Sequence, residues 1–118
     1  MRLAELKNTS ADHVLAYVNS IHHDFNIPET ILAHPQWRKT RVPLNKLHIP
    51  DEEGEDLEDP YNRVQMIDYD QVKSVDRHYI ESHPIVVDSN GHIIDGNHRA
   101  IAAKLGGMFD IPAYIPTK

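Results

Sequence analysis

Four chemistry-bearing side chains of different types and a glycine fall at five consecutive positions of this 118-residue chain, Asp95-Gly96-Asn97-His98-Arg99. Glycine permits a sharp bend and leaves the backbone uncovered by any β-carbon. A helix opening at Asn97 would present unpaired first-turn N–H groups, and its dipole would favour an anion at that end. Arg99 adds a forked, permanently charged donor and His98 a second, titratable one, both suited to phosphate oxygens. Asp95 repels an anion and so needs another role. It could cap the helix, hold a magnesium ion that bridges to phosphate, or accept a proton from a substrate hydroxyl. The residues leave those roles open, and Asn97 is equally able to cap or to touch a ligand.

The flanking sequence must place this corner. Ile85-Val86-Val87 is a short, wholly apolar strand, Ser89-Asn90-Gly91 a tight-turn signal, and His92-Ile93-Ile94 the returning strand. The helix from Asn97 runs through Leu105 and stops at Gly106-Gly107. Ile111 to Ile115 reads as a last strand closed by Pro116. Upstream, Val14, Leu15, Val18 and Ile21 form one stripe of a helix from Ser10 to about His23, capped by Thr9, Ser10 or Asp12. Pro28 opens a second, short helix that Pro35 ends. Arg38 to Leu44 reads as a strand, with Pro43 at a sheet edge or strand end. Arg63 to Ile67 reads as another short strand, followed by one helix from Asp68 or Asp70 to about Ile80 with Val72, Val75 and Tyr79 on its buried side. The expected fold class is α+β, a small mixed sheet with packed helices. An N-terminal helical segment, 1–37, joins a domain over 38–118 in a single compact unit.

The net charge of −6 is unevenly spread. Of 18 acids, seven lie between Asp51 and Asp59 with no base among them, and the other eleven face 12 Lys and Arg. A solvated loop over 51–60 is the expectation, since the stretch has too little apolar surface to offset its own ordering. Metal capture or mimicry of nucleic-acid charge are its functional alternatives. The nearly neutral remainder lacks the basic surplus with which duplex DNA is usually gripped. Absence of cysteine excludes disulfides, thiolate metal sites and cysteine nucleophiles. No apolar run suits a bilayer and no signal-peptide core is present, so no membrane role and a cytoplasmic location are expected.

The stretch from Pro84 to Gly106 resembles the core of the ParB/sulfiredoxin superfamily: apolar strand, glycine turn, second strand, Gly-x-x-Arg corner and alanine-rich helix. Val42-Pro43-Leu44-Asn45-Lys46-Leu47 is similar to the segment that opens ParB-type domains, and the likeness extends over about Arg41 to Ile115. It implies a corner that cradles nucleotide phosphates. ParB partition proteins carry Gly-Glu-Arg-Arg with a further arginine two positions on, and bind CTP. Gly96 and Arg99 match, whereas Asn97, His98 and Ile101 depart. The DNA-reading helix-turn-helix domain of those proteins would follow Lys118, so site-specific partition is not expected. Sulfiredoxins carry Gly-Cys-His-Arg; here Asn97 replaces the reactive cysteine, which removes that chemistry and leaves the phosphate cradle. Asp95-Gly96-x-His98-Arg99 is also similar to the free serine kinases.

The resemblance therefore implies a nucleotide-binding domain with Gly96, Asn97, His98 and Arg99 at the phosphate, and Asp95 and His98 as candidate catalytic groups. Magnesium with a nucleoside triphosphate is the implied cofactor, with Asp95 as metal ligand, and hydrolysis (ATPase or CTPase) or phosphoryl transfer to a small molecule the implied activities. The alternative is a non-enzymatic module of plasmid or phage type that engages DNA or a host protein; a ParB-like nuclease is a third reading. Elsewhere, His22-His23-Asp24, His78 and His83 sit at helix ends, where imidazoles complement the dipole, and metal ligation is the other reading of the first trio. Trp37 reads as a core plug in a linking segment rather than a base-stacking platform. Arg38, Lys39 and Arg41 form a local basic cluster, either an exposed strand face or a phosphate or nucleic-acid contact.

Overall fold

The computed structural model describes residues 8–22, 25, 27–49 and 69–117. The acidic stretch 51–60, the expected strand at 63–67, and His23 and Asp24 lie outside the described residues. Helix α1 (Ala11–Ile21) begins where Ser10 accepts the His13 N–H at 3.1 Å, a side-chain cap that supplies one of the acceptors a helix start lacks. Helix α2 (Pro28–Leu32) starts on its proline. Strand β1 (Asn8–Ser10), not expected from its polar sequence, pairs antiparallel with β2 (Gln36–Pro43). Pro43 ends β2, and the last strand, β5 (Asp110–Pro116), pairs antiparallel along its whole length.

The single helix expected up to Ile80 is instead two, α3 (Tyr69–Ser74) and α4 (Arg77–Ser82). The break has a local cause: the Asp76 carboxylate accepts the Tyr79 N–H at 2.8 Å and caps a new helix, a competing bond that aspartate offers readily. Strands β3 (Ile85–Val87) and β4 (Ile93–Asp95) form the expected hairpin, and helix α5 (Asn97–Leu105) follows β4. Gly91 in the hairpin turn has φ +86°, and a β-carbon there would strike the Lys46 carbonyl, so the turn admits only glycine.

The five strands among the described residues lie in the order β1-β2-β5-β3-β4, with β3 and β5 parallel and the other neighbours antiparallel. This is the mixed sheet of an α+β fold. Alternation along the strands divides the core in two. Val86, Ile94, Trp37 and Tyr114 face α1 and α2, where Val14, Val18 and Ile31 meet them. Ile85, Val87, Ile93, Ile111 and Ala113 face the other way, onto Ile80 of α4 and Ala100 and Ala103 of α5. The wholly apolar composition of β3 follows, since both its faces are covered.

Trp37 belongs to β2 rather than to a linking segment, and it is fully buried as a core plug. Its indole N–H donates to the carbonyls of His34 (2.8 Å) and Ile31 (3.2 Å), which fastens the end of α2 to the sheet. Trp37→Ala should therefore cost about 3–5 kcal/mol, whereas Trp37→Phe, which keeps most of the ring, should cost less. Urea unfolding followed by circular dichroism measures both.

Candidate functional site

The corner is formed where β4 hands over to α5. Gly96 is the N-cap residue, at φ +116°, ψ +26°, a backbone conformation that side chains with a β-carbon rarely adopt. A β-carbon on Gly96 would overlap Ile85 Cγ2 and lie 2.8 Å from Ile85 Cβ. The bend is thus pressed against the start of β3, and glycine is required by space as well as by dihedral angle. Being glycine, the cap supplies no side-chain acceptor to the first turn. Asn97 and His98, both half-buried, occupy that turn.

Arg99 is turned inward. It is 4% exposed, and its Nη2 donates to Asp95 Oδ2 at 2.8 Å. Its Nη1 donates to the carbonyls of His83 and Pro84, each at 2.7 Å, and reaches the Tyr17 hydroxyl at 3.3 Å. Such a saturated set of charge-assisted bonds is what allows a guanidinium to be buried at all. The expected role of Arg99 as a direct phosphate donor is not the one this geometry provides: four oxygens of the protein already surround its fork. Its Nη2 nevertheless lies 3.2 Å from where a Gly96 β-carbon would be, immediately beneath the bend.

Asp95 is the last residue of β4, 8% exposed. It does not cap α5. Its Oδ2 accepts from Arg99 and its Oδ1 lies 3.1 Å from His22 Nε2, at the end of α1. Burial pushes its carboxyl upward, but the hydrogen bond from His22 and the Arg99 charge outweigh burial and bring it below the ordinary 3.8. Magnesium does not fit this arrangement. Both carboxylate oxygens face a donor, and the Arg99 guanidinium at 2.8 Å sets a positive charge against an incoming cation. Among the described residues, no cluster of three His, Asp or Glu side chains is arranged to hold a metal. A role for Asp95 as acceptor of a substrate proton meets the same obstacle.

His22 and Tyr17 are the members that sequence reasoning missed. His22 is 38% exposed and turned toward Asp95 rather than serving only the helix dipole. Tyr17 donates its hydroxyl to the Pro84 carbonyl at 2.6 Å. Burial pushes that phenol up to about 12 against the pull of Arg99, so it remains a donor at neutral pH. Only the four-residue spacing of Asp95 and Arg99 was a local sign that the two could pair. His83 does serve a helix end: its Nδ1 is 3.0 Å from the Tyr79 carbonyl, and its ring stacks on Tyr79. In the basic cluster, Arg41 is taken up by Glu81 at 2.6 Å and Asp110 at 2.9 Å.

No family model matches the chain, and no curated protein matches it. Among solved structures it is similar to one described as "Structure of the C2221 form of Pnob8-like ParB-N domain", at 22% identity and a TM-score of 0.46. The match covers 67% of this chain and 29% of that one. No helix among the described residues is long and apolar enough to cross a membrane.

Two outcomes follow from the buried pair. Asp95→Asn should destabilise the fold by about 3–5 kcal/mol, because Arg99 would keep its charge without a counterion. The folded carboxyl sits below its unfolded value, so its stabilisation is complete above that value and is lost as pH falls through the folded one. Thermal melts of the native chain should therefore lose stability below about pH 4, and Asp95→Asn should flatten that acid limb. Gly96→Ala should cost at least about 1–2 kcal/mol of stability from its backbone conformation alone, read as a lower urea midpoint.

Proposed function

We propose that this chain binds the phosphate of a nucleotide at the Gly96 corner, with the first turn of α5 as the cradle. The observation that supports this reading is the bend itself: a glycine-only turn leads into a helix whose cap residue has no side chain to occupy its first turn. A helix start of this kind favours anions through its N–H groups and dipole. The Gly96-x-x-Arg99 spacing shared with the ParB/sulfiredoxin superfamily supports the same assignment. His98 supplies a further donor from the first turn. Arg99 acts here as a positioning residue, holding the bend against β3 through Asp95, His83 and Pro84. Because Asp95 is committed to His22 and Arg99, the reading is one of binding, with no step of hydrolysis or phosphoryl transfer assigned to that carboxylate.

Calorimetric titration with ATP, CTP, GTP and ADP, in buffers with and without magnesium, tests the reading. At least one nucleotide should bind saturably, and His98→Ala should weaken that binding about tenfold while circular dichroism shows the fold retained. Silence with all four nucleotides would defeat it, as would an affinity indifferent to His98→Ala.

A further inference from the structure

We infer that a cleft at the opposite end of the sheet from Gly96 is a second site, which takes a small phosphorylated anion. The cleft has a volume of about 550 Å³ and is lined by His34, Arg38, Ser89, Pro116 and Thr117. Cavities of roughly 300–1,000 Å³ suit ligands of drug or nucleotide size. Topology locates it. Ser89 follows the end of β3, Pro116 ends β5, and those strands run parallel, so the cleft opens off their shared carboxyl ends. Gly96, by contrast, packs on Ile85 at the amino end of β3.

The lining surface is mostly apolar, and its polar groups among the described residues come from His34, Arg38, Ser89 and Thr117, with no acid. Arg38 is distinguished from its neighbour on β2: Arg41 is held by Glu81 and Asp110, whereas among the described residues no side chain pairs with the Arg38 guanidinium. Arg38 follows the buried Trp37 in the strand, so its side chain leaves the face opposite the indole. His34 is fixed at the wall, its ring edge-on to Trp37 at 5.8 Å and its carbonyl accepting the indole N–H. The strand end is fixed too, since the Thr117 N–H donates to the Gln36 carbonyl at 3.0 Å. One permanently charged fork, an imidazole and the Ser89 hydroxyl match the oxygens of a phosphate group, beside a Thr117 hydroxyl that lies 3.4 Å from the Gln36 carbonyl, and Pro116 offers apolar contact to what the phosphate carries.

Titration of the isotope-labelled full chain with inorganic pyrophosphate and with AMP, followed by amide NMR shifts, tests this. Saturable shifts are expected at His34, Arg38, Ser89 and Thr117, and Arg38→Gln should weaken the binding reported there by about ten- to a hundredfold. The same spectra report Gly96 to Arg99 separately, so the two sites stand or fall independently. Shifts confined to the corner, an unchanged affinity in Arg38→Gln, or an equal response to sulfate at matched ionic strength would overturn the assignment. A response to a short DNA duplex with none to pyrophosphate or AMP would overturn it in favour of a nucleic-acid contact.

Discussion

A buried guanidinium must be matched or the fold around it fails, and Arg99 is matched by groups from three parts of the chain. Asp95 comes from the end of β4, the His83 and Pro84 carbonyls from the approach to β3, and the Tyr17 hydroxyl from α1. Isolated desolvation of such a charge costs several kcal/mol, which only a complete set of oxygens offsets. The network therefore fixes the angle at which α5 leaves the sheet, the seating of α1, and the entry into β3. His22 extends it to the surface by closing on the remaining oxygen of Asp95.

That constraint explains why the N-terminal helices belong to the architecture of the corner. Val14, Val18 and Ile31 cover Val86 and Ile94 on one face of the sheet, and the polar end of α1 then falls beside Asp95. The other face carries α4 and α5 on Ile85, Val87 and Ile93. Three-residue strands suffice because each residue is buried on one side or the other. The apolar burial of β3 and β4 does the stabilising, while the ionic network specifies the geometry.

Local signals in the sequence were reliable where one residue type had one solution. Glycines at 91, 96 and 107 all have positive φ, and they mark the hairpin turn, the corner and the end of α5. Proline positions bounded α2, β2 and β5 correctly. Asp76 was harder to read, because its capping bond competes with a periodic pattern that continues through it. Strand β1 was invisible, since Asn8, Thr9 and Ser10 owe their conformation to pairing with β2 rather than to their own preferences. For the site, the positions at 95–99 were legible and their directions were not. Whether an arginine faces solvent or the interior is decided by carbonyls 15 and 16 residues away and a tyrosine 82 away, which no local pattern encodes.

The place of β5 in the sheet has a consequence for how the molecule is assembled. This strand, from Asp110 to Pro116, is the latest of the five in the chain, yet it sits in the middle, joining β1-β2 on one side to β3-β4 on the other. Pairing Trp37 with Pro116 joins residues far apart in the chain, a contact of high sequence separation and correspondingly slow formation. Until β5 is inserted between them, β2 and β3 each present an open edge, so the two halves of the sheet join only through this strand.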